Sequence, residues 1–180
     1  LFGKNTAAGA INIVSAGPTP ELQGGGTISY NFNKKGFDGP AYVGGPITDA
    51  FGMRLAVKFF DQDGYLKNLA TGSDDPHIEQ QLARLTFKYA PSDSLSVTGK
   101  FEYGRLKNEG GVTMSGSLTV PTKFSDERYA ADPYGPAPFG EHNGITTHNA
   151  QVTVNYDVGE LTLTSVTGYL DFQRTWGADT

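Results

Sequence analysis

Asp61-Gln62-Asp63-Gly64 carries alternate acidic residues ahead of a glycine, the spacing by which a calcium loop offers hard oxygen ligands to one cation. An EF-hand also needs Gly at its sixth position and Glu at its twelfth, and counted from Asp61 that last place holds Gly72. The segment reads more simply as a turn. Asp74, Asp75 and Glu79 could hold calcium weakly, although a solvated acidic loop is the commoner outcome. His77, His142 and His148 lack the close helical or Cys-assisted spacing of a zinc site, so no metal is expected. The chain has no Cys, which removes disulfides, thiol nucleophiles and Cys-based zinc sites. There is neither a Gly-x-Ser-x-Gly elbow nor a Walker loop, and Gly24-Gly25-Gly26 lies in a polar linker instead of between a strand and a helix. Paired carboxylates exist, but nothing sets them across a common cleft. No catalytic residue and no cofactor is assigned, and the chemistry expected is binding. A formal net charge of -5 argues against a dedicated nucleic-acid partner.

Two groups of residues remain as binding candidates. The link from Lys107 to His148 carries Phe124, Tyr129, Tyr134, Phe139, His142 and His148 among Gly and Pro, a mix that can line a shallow surface for sugars or aryl groups. A self-packed surface loop has the same composition. The second group is Arg54, Lys58, Arg84, Lys88 and Lys100, which alternation places on one strand face; they can hold another domain, line a path for anions, or form ordinary ion pairs in water.

These side chains need strands to position them. Met53, Leu55, Val57 and Phe59 oppose Arg54, Ala56, Lys58 and Phe60, since strand side chains alternate with period two. The pattern returns in Gln80 to Tyr89 and again from Leu95 to Tyr103, where Leu95, Val97, Phe101 and Tyr103 oppose Ser96, Thr98, Lys100 and Glu102. Ala150, Val152, Val154 and Tyr156 oppose Gln151, Thr153 and Asn155, and the turn at Asp157-Val158-Gly159-Glu160 leads into Leu161 to Tyr169. In that last strand the phase is open beyond Leu163, because Ser165 and Thr167 compete with Val166. With Ile28, Tyr30 and Phe32 near the start and a weaker strand at Ala41 to Gly45, the count is about seven strands.

Alternation alone fits two architectures equally: a soluble all-β domain whose apolar faces meet, or a barrel with a wet interior and a lipid-facing exterior. Link lengths favour the barrel. Links at Pro46 to Gly52, Ala90 to Ser94 and Asp157 to Glu160 are tight, whereas Gly64 to His77 and Lys107 to His148 are long, so the two kinds segregate to opposite ends of an up-and-down meander. The Lys34 to Asp38 link is a short one at the long end. Tyr89, Tyr103 and Tyr156 are read as strand-end aromatics of an interfacial girdle. Mean hydropathy is -0.36 and no apolar run is long enough for a membrane helix, so any crossing is by strands.

The opening LFGKNTAAGAINIVS resembles the closing motif of the plug domain in TonB-dependent outer-membrane receptors, through Leu1, Phe2, Gly3, Asn5, Thr6, Gly9, Ile11 and Asn12, with Ala8 where Gly is frequent. Locally, Gly3 and Gly9 permit turns or close backbone approach, and Ile11 and Ile13 read as a short buried strand. The Gly45-Pro46-Ile47-Thr48-Asp49 turn, Arg54-Leu55-Ala56, Asp63-Gly64-Tyr65 and Leu163 to Tyr169 are similar to the same family in order.

The resemblance implies an all-β chain: residues 1–15 as the end of a plug, 16–26 as linker, and 27–180 as the first strands of a transmembrane barrel of about twenty-two. It implies a piece of a longer protein or a mature chain, since the sequence starts at Leu1 without a signal sequence. The function implied is import of a scarce bulky nutrient, foremost a ferric siderophore, across the outer membrane of a Gram-negative bacterium. Energy would come from the TonB complex through a segment upstream of Leu1, and the partners would be that complex, outer-membrane lipid and the extracellular ligand. The other reading is a soluble or surface β-domain that binds glycans through aromatic loops; an enzyme is not expected.

Overall fold

The computed structural model describes residues 14–68, 74–110, 128–129 and 142–177, and these form β-structure throughout, with no helix. In chain order the strands are β1 (Gln23–Gly26), β2 (Ser29–Asn31), β3 (Gly36–Thr48), β4 (Phe51–Gln62), β5 (Leu66–Asn68), β6 (Asp74–Asp75), β7 (His77–Ser92), β8 (Leu95–Glu109), β9 (Arg128–Tyr129), β10 (His142–Val158) and β11 (Leu161–Gly177). Eight of them make one antiparallel sheet in the order β1-β3-β4-β7-β8-β10-β11, with β2 also on β3. Each long strand pairs with the next in sequence. The remaining three, β6-β5-β9, form a small sheet within the long links.

β1 and β2 are two parts of one line. Gln23 pairs with Gly44 and Asn31 with Gly36 in unbroken register, and the gap between them falls opposite Pro40. Thr27 N donates to Pro40 O at 2.9 Å, but Pro40 has no N–H to return the second bond of that pair. The meander therefore has seven lines. Gln23 to Gly26, read as linker in the sequence, belongs to the first of them; three consecutive glycines carry no side-chain alternation to betray a strand.

The tight turns are Asp49-Ala50, Asp93-Ser94 and Gly159-Glu160, all at one end. Gly159 has φ of 63°, which suits the first central place of a two-residue hairpin turn. At the other end lie the Phe32–Lys35 turn and the two long links. Asn31 closes that turn, its Oδ1 accepting from Asn33 N at 3.1 Å and from Lys34 N at 3.2 Å. The strands reach further toward this end than alternation indicates: β7 begins at His77, β8 runs to Glu109 and β10 begins at His142. Tyr103 is consequently inside β8 and not at its end, and His148 is a strand residue.

β7, β8, β10 and β11 have 16, 15, 17 and 17 residues, two to three times the usual length in soluble sheets. A strand needs only about ten residues to cross a bilayer at a tilt, so strands this long have a remainder that projects beyond it. Among the described residues no large side chain is fully buried, and no second layer packs on the sheet to make a sandwich core.

Candidate functional site

From β4 to β10 the strand registers sort the side chains into a mainly apolar and a mainly polar face, and β11 mixes the two. A lateral row across the apolar face reads Val43, Leu55, Leu85, Phe101, Ala150 and Tyr169. The next row toward the tight turns holds Met53, Phe87, Gly99 and Val152, and the one beyond it Phe51, Tyr89, Val97 and Val154. Phe87 lies over Gly99, where a Cβ would come within 2.1 Å of its ring, and it stacks on Phe101 with centroids 6.2 Å apart.

The apolar character fades on both sides. Toward the turns it closes with Leu95, Tyr156 and Leu163; toward the long links Val57, Ala83 and Tyr103 share a row with His148 and Asp171, the next row holds Phe59 with Gln81 and Arg105, and then come Asp61, Glu79 and Lys107. From Leu95 to Tyr103 the band measures about 27 Å along the strand. At the tilt usual in barrels this is about 21 Å in height, close to the apolar band of outer-membrane barrels. Tyrosines stand at both borders.

The polar face gathers all five cations read from the sequence. One row is Gly44, Arg54, Thr86, Lys100, Gln151 and Gly168; the next is Tyr42, Ala56, Arg84, Glu102, Asn149 and Leu170; the third is Pro40, Lys58, Leu82, Gly104, Thr147 and Phe172. Lys88 lies one row nearer the turns, beside Gly52 and Thr98. Arg54 rests on the Tyr42 ring, its Cζ 3.9 Å from the centroid, a cation–π contact. Lys58 is 3.4 Å from Asp38 Oδ1, within ion-pair reach but without hydrogen-bond alignment.

Glu102 is the hub of this face. It accepts from Arg84 Nε, lies 3.3 Å from Lys100 Nζ and accepts from Asn149 Nδ2 at 2.9 Å. The sequence reading named the cations and missed this carboxylate. Counting outward from the tight Asp93-Ser94 turn would set Arg84 opposite Tyr103; the register shift between Tyr89 and Ser92 moves it onto Glu102, so neither alternation nor hairpin counting points to this contact. Removing Glu102 leaves Arg84 and Lys100 adjacent without a shared counter-charge. Because Arg84 is 43% exposed, solvent screens the pair, and an Arg84→Ala/Glu102→Ala double-mutant cycle should give a coupling of about 0.5–1 kcal/mol in denaturant unfolding. Zero coupling would mean that the contact orders nothing.

The N-terminal segment runs onto the same face. Val14, Ser15 and Gly17 share a hollow with Thr86, Thr98, Lys100, Gln151 and Thr153, and Thr86 is only 6% exposed. Pro18 lies against Gly52, where a Cβ would stand 3.0 Å from the proline Cβ. The chain thus approaches the sheet over its polar face. Directly above, toward the long links, a second hollow of about 400 Å³ opens over Gly104, with Leu82, Arg84, Asn149 and Leu170 around it.

At the end with the long links, His77 sits between two carboxylates, Nδ1 3.2 Å from Asp63 Oδ1 and Nε2 3.6 Å from Asp61 Oδ2. Among the described residues no set of three or more His, Asp or Glu side chains is arranged to hold a metal ion. Of the aromatic-loop candidates, Tyr129 is the second residue of β9, paired in backbone register with Asn68, and His142 is the first of β10, opposite Glu109 and Gly177. Phe124, Tyr134 and Phe139 lie outside the described residues, as do the motif residues Gly3, Asn5, Gly9, Ile11 and Asn12.

Comparison with family models, with curated proteins and with solved structures finds no match for this chain.

Proposed function

We propose that this sheet is part of the wall of a plugged outer-membrane receptor of the TonB-dependent kind, which binds a scarce bulky nutrient, foremost a ferric siderophore, and imports it to the periplasm of a Gram-negative bacterium with energy from the TonB complex. The observation that carries the reading is the bordered apolar band: one face of a single-layered sheet is apolar over about 21 Å, edged by tyrosines and then by charge. A soluble sheet with that face exposed would associate or aggregate.

Three further features support it. The polar face carries the cations and receives the N-terminal segment, as a lumen would receive the end of a plug. Tight turns and long links occupy opposite ends, as periplasmic turns and outer loops do. Among the described residues the β1/β2 line and β11 are open edges, which lipid does not tolerate and which further strands of an approximately twenty-two-stranded wall would pair. In this reading residues 1–15 close the plug, and the receptor's work is gated binding and passage without covalent chemistry. The glycan-binding β-domain is the second reading; it calls for a second layer over the apolar face, and the described residues supply none.

Cysteine scanning tests the reading, since the chain supplies no thiol of its own. In the full-length protein in outer membranes, a water-soluble maleimide should label Cys at Arg84, Lys88 and Thr98 and spare Leu85, Val97 and Phe101. Uniform labelling, in a protein released by carbonate wash, would make it a peripheral β-domain.

A further inference from the structure

We propose that the hollow over Gly104 is a ligand subsite on the receptor wall that takes the flat apolar or aryl part of an anionic ligand, with Gly104 as its specificity determinant. This rests on the receptor reading and narrows its ligand class.

The shape comes from a missing side chain. Every neighbour of Gly104 in its row and in the row below brings a side chain to the polar face, apart from Gly104 itself: Leu82 and Thr147 flank it, and Arg84, Glu102 and Asn149 stand below. A Cβ at Gly104 would lie 2.7 Å from Thr147 Oγ1 and 3.4 Å from Leu82 Cδ2, so even the smallest side chain would begin to fill the space. The resulting volume of about 400 Å³ falls within the range that holds small ligands.

The lining is amphiphilic. Leu82 and Leu170 are 39% and 66% exposed on this face, large apolar side chains that no described residue covers. Phe172 continues them in the next row. Cations stand among and below them: Lys58 shares the row of Leu82, Arg84 shares the row of Leu170, and Arg54, Lys100 and Lys88 lie nearer the tight turns. Over these rows the polar face carries Arg54, Lys58, Arg84, Lys88 and Lys100 against Asp38 and Glu102, an excess of positive charge in a chain whose formal net charge is -5. Such local concentration of one sign selects an anion and draws it in. A flat apolar moiety can lie on the exposed glycine backbone and against the two leucines, while its acidic groups reach Arg84 and Lys58.

Position completes the case. Val14, Ser15 and Gly17 share a hollow with Thr86 and Lys100, one row nearer the tight turns, and among the described residues none of that segment lines the Gly104 hollow. A ligand arriving from the end with the long links meets Leu82 and Lys58 in one row, Leu170 and Arg84 in the next, and Arg54 and Lys100 after them.

The test uses outer membranes from cells that express the full-length receptor, after fractionation has located the protein there. The probe is tris(2,3-dihydroxybenzoato)iron(III), an anionic aryl complex labelled with radioactive iron, with neutral tris(acetohydroxamato)iron(III) as competitor. Wild-type membranes should bind the anionic complex saturably, Gly104→Leu should weaken that binding tenfold or more, and Thr162→Leu, on the same face near the tight turns, should leave it unchanged. A Gly104→Cys variant should react with a water-soluble maleimide and be protected by the anionic complex. Wild-type strength in Gly104→Leu, equal competition by the neutral complex, or no saturable binding would overturn the subsite while leaving the receptor reading intact. An unreactive Gly104→Cys would show the hollow filled by the receptor's own upstream domain and would overturn it too. Absence of the protein from the outer-membrane fraction would instead defeat the receptor reading.

Discussion

Leu85→Arg should destabilise the full-length barrel in lipid by about 2–4 kcal/mol, whereas Thr153→Arg, on the opposite face within the span of the same band, should cost less than about 1 kcal/mol. Leu85 lies between Leu55 and Phe101 well inside the apolar band, so an arginine there places a guanidinium among acyl chains. Thr153 stands between Thr98 and Val166 on the polar face, where a cation has other polar groups and water within reach. A high cost at Leu85 alone does not prove lipid contact, because a packed core rejects arginine as well. Depth dependence separates the two. An arginine scan down the apolar face of β7, through Tyr89, Phe87, Leu85, Ala83 and Gln81, should show a cost that peaks in the middle and falls toward about 0–1 kcal/mol at Gln81, where the native sheet already carries Arg105 alongside. Guanidinium unfolding from lipid vesicles reads the series; a flat profile would remove the membrane assignment.

Thr86 shows where sequence and structure part. By alternation it is a polar-face position as permissive as Thr153, yet in the hollow that both share with Val14 to Gly17 Thr86 is buried, whereas Thr153 stays partly exposed. Alternation reports which way a side chain points and not what arrives from elsewhere in the chain. The β4, β7 and β8 faces were legible because apolar and polar residues alternate over most of their length, with Phe60, Leu82 and Gly99 as the exceptions. β11 was not: Leu163 and Tyr169 share one face while Val166, Leu170, Phe172 and Trp176 share the other, so a period-two reading has no phase to choose. Registry with β10, set by the tight Gly159-Glu160 turn, decides it. The strand ends toward the long links were hidden for another reason. Beyond Tyr103 and before Ala150 both faces carry polar residues, among them Asn108, Asn143 and Lys107, and a strand that leaves the apolar band has no apolar stripe to announce it. That same loss of contrast concealed Gly104 and Leu170 as parts of one hollow, since they meet only through β10.

Gly64→Ala should open the link at the far end of β4. Asp63 to Tyr65 runs against Asp74 and Asp75, with Gly64 N donating to Asp74 O and Tyr65 N to Asp75 O, each at 3.1 Å. A Cβ on Gly64 would stand 1.8 Å from the carbonyl carbon of Asp75 and 1.9 Å from its oxygen. That obstacle is backbone, so no rotamer change relieves it and the two segments must separate. Gly110 closes the other side of Asp75, at φ of 93° and with its own Cβ position 2.4 Å from Asp75 Cγ, so Asp75 cannot retreat in that direction. Two backbone hydrogen bonds at about 1 kcal/mol each, with loss of cover over a residue now 5% exposed, place the local cost at about 2–4 kcal/mol. The Tyr65 amide should accordingly exchange roughly 30- to 1,000-fold faster with deuterium, while amides in the middle of β7 and β8 keep their protection, because the sheet itself is untouched. Gly159→Ala supplies the comparison: its Cβ position is open and only the positive φ resists, so exchange at the link should not change. If Tyr65 stays protected in Gly64→Ala, the two segments are not in contact as described, and the His77 contacts to Asp61 and Asp63 beside them lose their support as well.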